Sequence, residues 1–289
     1  RTDSVLGDVR RADGSWDFFL AEDPRILYVR ITTFGERTAE ELRAALQAKN
    51  AAGQSPSAVV LDLRDNAGGL VNAAVAVCDM FLEEGVIVTT RGRGGVETRR
   101  YTARPDVELN RDIPLAVLVN RFSASSSEIV AACLQDNKRA VVVGERTWGK
   151  GTIQNIIPLE AGKSAFKLTT ASYWRPSNRN IHRTKDAPES ADWGVSADEG
   201  LTVGIAEADL RKVLRYRRFR DVYHDPNDES WTRQVDDEAG EDSASGPPEP
   251  IDDPQLRKAI AWVQAKLPSA PANRPDNAPP AAAPTSAAP

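Results

Sequence analysis

The stretch that decides the fold covers residues 120–154 and reads NRFSASSSEIVAACLQDNKRAVVVGERTWGKGTIQ. It follows an apolar run at Leu115–Val119, which is short enough for a buried strand. Apolar residues then recur at helical spacing from Ile129 to Leu134, and residues 140–143 form a second short apolar run. The pattern therefore predicts strand, turn, helix and strand, with a cluster of serines at the turn.

The serine cluster has the features of a helix start. Ser125 is followed three residues later by Glu128, which is a capping-box pattern. The first turn of a helix has unpaired N–H groups and a partial positive charge, and both stabilise an alkoxide or an oxyanion. Most serines at this position are only helix caps, so the cluster alone leaves a structural role and a catalytic role open.

A serine nucleophile needs a base, and the sequence offers a lysine. The two histidines, His182 and His224, lie outside the central stretch, so a Ser-His-Asp triad has little support. Lys150 lies between two glycines and can act as a base if burial lowers its pKa. Gln154, four residues later, can orient the lysine amine. Most lysines are solvated, so an exposed lysine without a catalytic role remains the alternative.

A second motif follows an apolar run at residues 58–63. Only Asp62 interrupts this run, which predicts a central strand covered on both faces. The sequence DNAGG follows at residues 65–69, before a predicted helix over residues 70–82. The two glycines indicate either a tight strand-to-helix turn or bare N–H groups directed at a substrate carbonyl. The residues by themselves leave these two interpretations open.

Three segments together resemble the core of the carboxyl-terminal processing (tail-specific) proteases. They are LDLRDNAGGL at residues 61–70, SASSSEI at residues 123–129 and VGERTWGKGTIQ at residues 143–154. Those proteases are serine endopeptidases with a Ser-Lys dyad on a crotonase/ClpP-like fold, and the resemblance covers residues 26–203. It implies that Ser125 is the nucleophile, that Lys150 is the general base and that Gln154 orients the lysine.

The resemblance also implies further site residues and a substrate class. The oxyanion hole would come from the backbone N–H groups of Ser126 and of Gly68 or Gly69. The remaining positions that match and support the site are Arg64, Glu128, Asp136 and Thr147. The implied substrate is a protein or peptide cleaved near its C-terminus. No cofactor is implied, and His, Cys and carboxylate residues show no metal-ligand spacing.

Two other classes of function stay open. One is a non-catalytic ligand-binding module on the same fold, which the intact Ser125, Lys150 and Gln154 argue against. The other is a crotonase-type acyl-CoA enzyme, which also uses glycine-rich oxyanion loops but usually carboxylates instead of a Ser-Lys pair. A net charge of −5 argues against nucleic-acid binding. No run of eighteen apolar residues offers a membrane span.

The alternation of strands and helices predicts an α/β fold with a mostly parallel sheet and flanking helices, plus an antiparallel hairpin at residues 86–103. Cys78 and Cys133 are expected to be buried thiols. The expected organisation is a strand and hairpin remnant at residues 1–25, a protease core at 26–220, an acidic linker at 221–253, a helix at 254–267 and a disordered Ala/Pro tail at 268–289.

The resemblance also bears on what precedes residue 1 and on location. It implies that a signal peptide and a PDZ domain come before this chain, and that the protein acts in the bacterial periplasm or cell envelope. Envelope association would then come through those N-terminal segments. The oligomeric state does not follow from the residues.

Overall fold

The computed structural model describes residues 3–11, 13–159, 163–221 and 252–268. The elements in chain order are β1 (Val5–Leu6), β2 (Val9–Arg10), β3 (Trp16–Asp17), β4 (Ile26–Ile31), α1 (Thr38–Leu46), β5 (Ala58–Asp62), α2 (Val71–Asp79), β6 (Val86–Arg91), β7 (Glu97–Thr102), β8 (Leu115–Val119), α3 (Ser126–Asp136), β9 (Val141–Gly144), β10 (Thr152–Leu159), β11 (Ser164–Trp174), α4 (Glu207–Asp221) and α5 (Pro254–Gln264).

The main sheet has the order β1-β4-β5-β8-β9. Strands β4, β5, β8 and β9 run parallel, and β1 pairs antiparallel with the edge of β4. Every residue of β5 and β8 is buried. Continuous apolar runs of this kind are typical of parallel strands that are covered on both faces. The predicted strands at residues 58–63 and 115–119 are therefore confirmed as the centre of a mostly parallel sheet.

Helices cover both faces of this sheet. Helices α1, α2 and α3 contribute to one apolar core, with Leu42, Val77 and Val130 among its fully buried residues. Helix α5 lies on the opposite face, where Ala259, Ile260 and Val263 pack against residues of β4, β5 and β8. The C-terminal helix thus closes a face of the sheet that would otherwise expose apolar strand residues to water.

A second sheet is antiparallel and has the order β10-β11-β6-β7. It contains the predicted hairpin of β6 and β7, which is confirmed. Strand β7 is mostly exposed and carries Arg99 and Arg100. Strand β10 begins two residues after Lys150, so this sheet continues directly from the predicted base.

The structure also confirms the prediction of two buried thiols. Cys78 of α2 and Cys133 of α3 are buried free thiols, as expected. No helix in the described ranges has the length and apolarity needed to cross a bilayer. The predicted acidic linker falls almost entirely on residues 222–251, and the predicted Ala/Pro tail on residues 269–289, all of which lie outside the described ranges.

The topology brings the two predicted motifs to one edge of the sheet. Because β5 and β8 are parallel neighbours, their carboxyl ends lie side by side. The DNAGG loop follows β5 and the serine turn follows β8. Open parallel sheets place their ligand sites at this edge.

Candidate active site

The serine turn has an unusual backbone. Ser125 has φ 57° and ψ −113°, in the positive-φ region that residues with a Cβ avoid. Strain of this kind persists only where the surroundings hold it, and it clusters at functional sites. The neighbouring hydroxyls of Ser126 and Ser127 donate to the carbonyl oxygens of Gly69 and Asn66 at 3.0 and 2.9 Å. Those two serines therefore tie the turn to the DNAGG loop.

Gly68 packs directly against the serine turn. It has φ 102°, and a Cβ there would lie 2.8 Å from Ser125 Cβ and 3.0 Å from Ser126 N. No larger residue fits between these two loops. Gly69 has φ 150° and packs equally closely on the backbone of Phe34. Gly68 thus lies beside the predicted nucleophile, and Gly69 accepts a hydrogen bond from the next residue, Ser126.

The two glycines differ in whether their N–H groups are free. The N–H of Gly68 donates to Asn66 Oδ1 at 2.8 Å. Within the described ranges, no hydrogen bond is found from the N–H of Gly69 or of Ser126. In this conformation, therefore, Gly69 and Ser126 have donors available for an oxyanion, whereas Gly68 would first have to release Asn66.

Asn66 and Asn120 shape this region, and the sequence analysis did not single them out. Besides accepting from Gly68, Asn66 donates its amide to the carbonyl of Ile31 at 2.8 Å. Asn120 accepts from the N–H of Asp65 at 3.0 Å and donates to its carboxylate at 2.7 Å. The available signal was their position in turns after buried strands, Asn120 directly after β8 and Asn66 in the loop after β5, where Asx side chains commonly bond nearby backbone.

The buried carboxylate of Glu128 joins the serine turn to the lysine loop. Its Oε2 accepts from the backbone N–H groups of Ser125 and Lys150, each at 2.8 Å. Its Oε1 accepts from the Thr147 hydroxyl and from the Gly149 N–H, each at 2.6 Å. The first of these contacts is the Glu128 half of the predicted capping box. One carboxylate thus holds the backbones of the predicted nucleophile and base close to each other.

The charge of Glu128 is set by two opposing effects. Burial raises the pKa of the carboxyl above the ordinary value, and the hydrogen bonds from Thr147 and from three backbone N–H groups offset only part of this rise. All four partners act as donors in these contacts. Four donors match the ionised carboxylate, which only accepts hydrogen bonds.

Replacing Glu128 with glutamine is expected to lower the free energy of unfolding by about 2–3 kcal/mol. Each carboxylate oxygen accepts two hydrogen bonds, at least one of them from a backbone N–H. The glutamine NH₂ would face such a donor in either orientation. Urea unfolding measures the difference, with the exposed Glu199→Gln as the control. Equal unfolding midpoints for both variants would contradict the bridging role.

Lys150 and Gln154 are both exposed in this structure. The expected burial of the Lys150 side chain is therefore not present in this conformation. The backbone of Lys150 is held beside that of Ser125 through Glu128, but its side chain reaches solvent. A general base at this position requires the side chain to turn inward.

The remaining predicted residues lie in three different places. Thr147 belongs to the Glu128 network and accepts from the N–H of Val195 at 2.8 Å. Arg64 is fully buried and pairs with Asp62 at 2.6 Å. Asp136 ends α3, about 16 Å along the helix from Ser125. Only Thr147 therefore contacts the carboxylate that joins the serine turn to the lysine loop.

The role of Asp136 is to bind the segment after β11. Its carboxylate accepts from Arg175 at 2.6 and 3.0 Å and from the N–H of Ser177 at 2.9 Å. Burial raises the pKa of Asp136, but these hydrogen bonds outweigh burial and hold the pKa below its usual value. Asp136 thus joins the end of α3 to the segment that follows β11.

Comparison with known proteins places the chain in a family. The model for "Peptidase family S41" matches residues 25–195, more than half of the chain. The chain belongs to peptidase family S41. The matched residues contain both loops at the carboxyl edge of the sheet, the whole Glu128 network and the lysine loop.

Similar proteins include several named carboxyl-terminal processing proteases. A carboxy-terminal-processing protease of Bartonella bacilliformis is 35% identical over 246 residues, covering 83% of this chain and 52% of the relative. A carboxyl-terminal-processing protease of Synechocystis is 38% identical over 162 residues, covering 56% of this chain and 36% of the relative. The chain spans about half or less of the length of these relatives.

Solved structures agree on the fold. The photosystem II D1 C-terminal processing protease has a TM-score of 0.55 and 31% identity, covering 77% of this chain and 52% of that one. Mature CPAF, at 16% identity and a TM-score of 0.50, shows likeness of fold alone. The predicted fold class, a mostly parallel sheet with flanking helices and an antiparallel hairpin, is confirmed.

Proposed function

We propose that this S41 chain is the catalytic part of a serine endopeptidase that cleaves proteins near their C-termini. The observation that carries the proposal is the Glu128 carboxylate, which binds the backbone N–H groups of Ser125 and Lys150 in one place. This contact supports a Ser-Lys dyad because a single carboxylate binds the serine turn and the lysine loop, which brings the backbones of the two residues close together. The free N–H groups of Gly69 and Ser126 support an oxyanion hole.

The proposed reaction proceeds through an acyl-enzyme. Neutral Lys150, turned inward and oriented by Gln154, takes the proton of Ser125 as its oxygen attacks the scissile carbonyl. The N–H groups of Gly69 and Ser126 bind the oxyanion. The protonated lysine then gives its proton to the leaving amine. Water, deprotonated by the same lysine, hydrolyses the ester and releases the shortened substrate.

The substrate and place of action are part of the same proposal. The named relatives process carboxyl termini, and they come from bacteria, cyanobacteria and chloroplasts. We infer that this chain acts on unfolded or tailed proteins in a bacterial periplasm or cell envelope.

Cleavage of a tailed model substrate tests this function. The chain is incubated with an unfolded protein that ends in an apolar C-terminal tail, and the products are identified by intact mass. We expect fragments cut near the C-terminus, and we expect a serine-reactive phosphonate to stop their formation. Absence of both cleavage and phosphonate labelling would contradict the proposal. Turnover of an acyl-CoA that survives Ser125→Ala would instead favour a crotonase-type enzyme.

A further inference from the structure

A line of charged side chains joins helices α4 and α5 to the oxyanion loop at residues 65–69. The carboxylate of Asp253 accepts from Arg64 at 2.8 Å and from Arg217 at 2.9 Å. Arg217 donates in turn to the carboxylate of Asp65 at 2.7 Å. The first residue of the oxyanion loop is thus bonded to a side chain that comes 152 residues later in the chain.

The charges in this line are buried and depend on one another. The side chains of Arg64, Arg217 and Asp253 are 1%, 6% and 15% exposed. Burial raises the pKa of Asp253, but the charges of Arg64 and Arg217 outweigh burial and lower it below the usual value. Loss of the Asp253 charge would remove the anion that both guanidinium groups contact, while Arg64 keeps Asp62 and Arg217 keeps Asp65 as partners.

Asp65 connects these ion pairs to the serine turn. It adopts φ 61°, which an aspartate tolerates only when its surroundings hold it. Its backbone and carboxylate both bond to Asn120, the first residue of the turn that leads to Ser125. Arg217 binds the other carboxylate oxygen. The orientation of Asp65 is thus set from the serine turn on one side and from α4 on the other.

Asp253 also holds α5 in place. It is the N-cap of α5, and its side chain accepts from the N–H groups of Gln255 and Leu256. The next side chain, Gln255, accepts from Arg64 at 3.1 Å and donates to the carbonyl of Val203 at 2.8 Å. The helix that covers one face of the sheet is therefore linked through Asp253 to Arg64 and, by way of Arg217, to Asp65 of the loop beside Ser125.

We propose that Asp253 and Arg217 are positioning residues for the oxyanion loop. They hold residues 65–69 against the serine turn from two helices that lie outside the residues matched by the family model, 25–195. The kinetic consequence rests on the proposed function, because it requires an oxyanion to be stabilised there. The structural consequence, a loop held by a distant carboxylate, does not.

Asp253→Asn removes the negative charge at residue 253 but keeps a side chain that can cap α5. Asparagine caps a helix as well as aspartate does, so α5 should stay docked while the two guanidinium groups lose their shared anion. With an unfolded, apolar-tailed protein as substrate, we expect kcat to fall about 10- to 100-fold with little change in KM. We also expect faster hydrogen exchange at the amides of residues 65–69 and unchanged exchange in α5.

Asp252→Asn is the matched control. Asp252 is the preceding residue, is exposed, and pairs with the exposed Arg257. It should leave both kcat and loop exchange at wild-type values. Adding Arg217→Ala to Asp253→Asn should lower kcat by less than the product of the two single effects. Both substitutions interrupt the same connection from Asp253 through Arg217 to Asp65.

Two results would overturn the inference. One is wild-type kcat and loop exchange in Asp253→Asn. The other is faster exchange confined to α5, which would show that Asp253 serves the helix alone. If wild type and Asp252→Asn both lack peptidase activity, the proposed function fails, and the exchange of residues 65–69 still decides whether Asp253 positions the loop.

Discussion

Replacing Ser125 with alanine is expected to lower kcat/KM for peptide cleavage by on the order of 10⁴-fold or more, since no acyl-enzyme can then form. The substrate should still bind, because Ser125 contributes one small side chain to a site built from two loops. The measurement is the rate of product formation from an apolar-tailed unfolded protein. Substrate affinity is measured separately by equilibrium binding.

Ser127→Ala is the control for Ser125→Ala. Ser127 lies on the same turn and donates its hydroxyl to the carbonyl of Asn66. Its loss should cost about 1 kcal/mol of stability and leave the nucleophile in place, so cleavage should fall far less than in Ser125→Ala. Cleavage by Ser125→Ala at the wild-type rate would contradict the assignment of the nucleophile.

Replacing Lys150 is expected to have the second largest effect. Without a general base, Lys150→Ala should lose about 10²- to 10⁴-fold in kcat at neutral pH. Lys150→Arg should be as inactive, because a guanidinium keeps its proton at every accessible pH. The pair of variants therefore separates a base from a fixed positive charge.

Lys167→Ala is the matched control for Lys150. Lys167 is an exposed lysine of β11, within the hairpin that continues from the lysine loop. This variant should cleave like wild type. Substantial activity in Lys150→Arg would contradict the proposed base. That result would instead indicate that the exposed side chain at residue 150 contributes only its positive charge.

The central elements could be predicted because their signals are local. A continuous apolar run predicts a buried strand, and the runs that contain β5 and β8 lie at the centre of the sheet. The spacing of Ser125 and Glu128 predicted a helix start, and α3 begins at Ser126. Each of these predictions depends on neighbours within a few residues, which a sequence shows directly.

The contacts that organise the site could not be predicted in this way. Glu128 reads as a helix-capping residue, yet it also binds Thr147, Gly149 and Lys150 on a loop about 20 residues later. The pairing of Asp253 with Arg64 spans 189 residues. Helical periodicity shows that α5 has an apolar face, but not which charged residues its N-terminus will meet. Such pairs depend on topology, which propensity and spacing do not specify.

The exposure of Lys150 also has no local signal. Flanking glycines allow close approach of the backbone, and Gly149 and Gly151 do pack against Arg183 and His182. They do not determine where a flexible four-carbon side chain points. The sequence around Lys150 therefore does not specify the direction of its side chain.

Labelling with a serine-reactive phosphonate tests the central claim most directly. The chain is treated with the probe and digested, and the modified residue is located by tandem mass spectrometry, in parallel with Lys150→Arg. We predict a single adduct on Ser125 in the wild type and a strongly reduced yield in the variant. An adduct on Ser126 or Ser127, or equal labelling of Ser125 in both proteins, would contradict the claim that Lys150 activates Ser125.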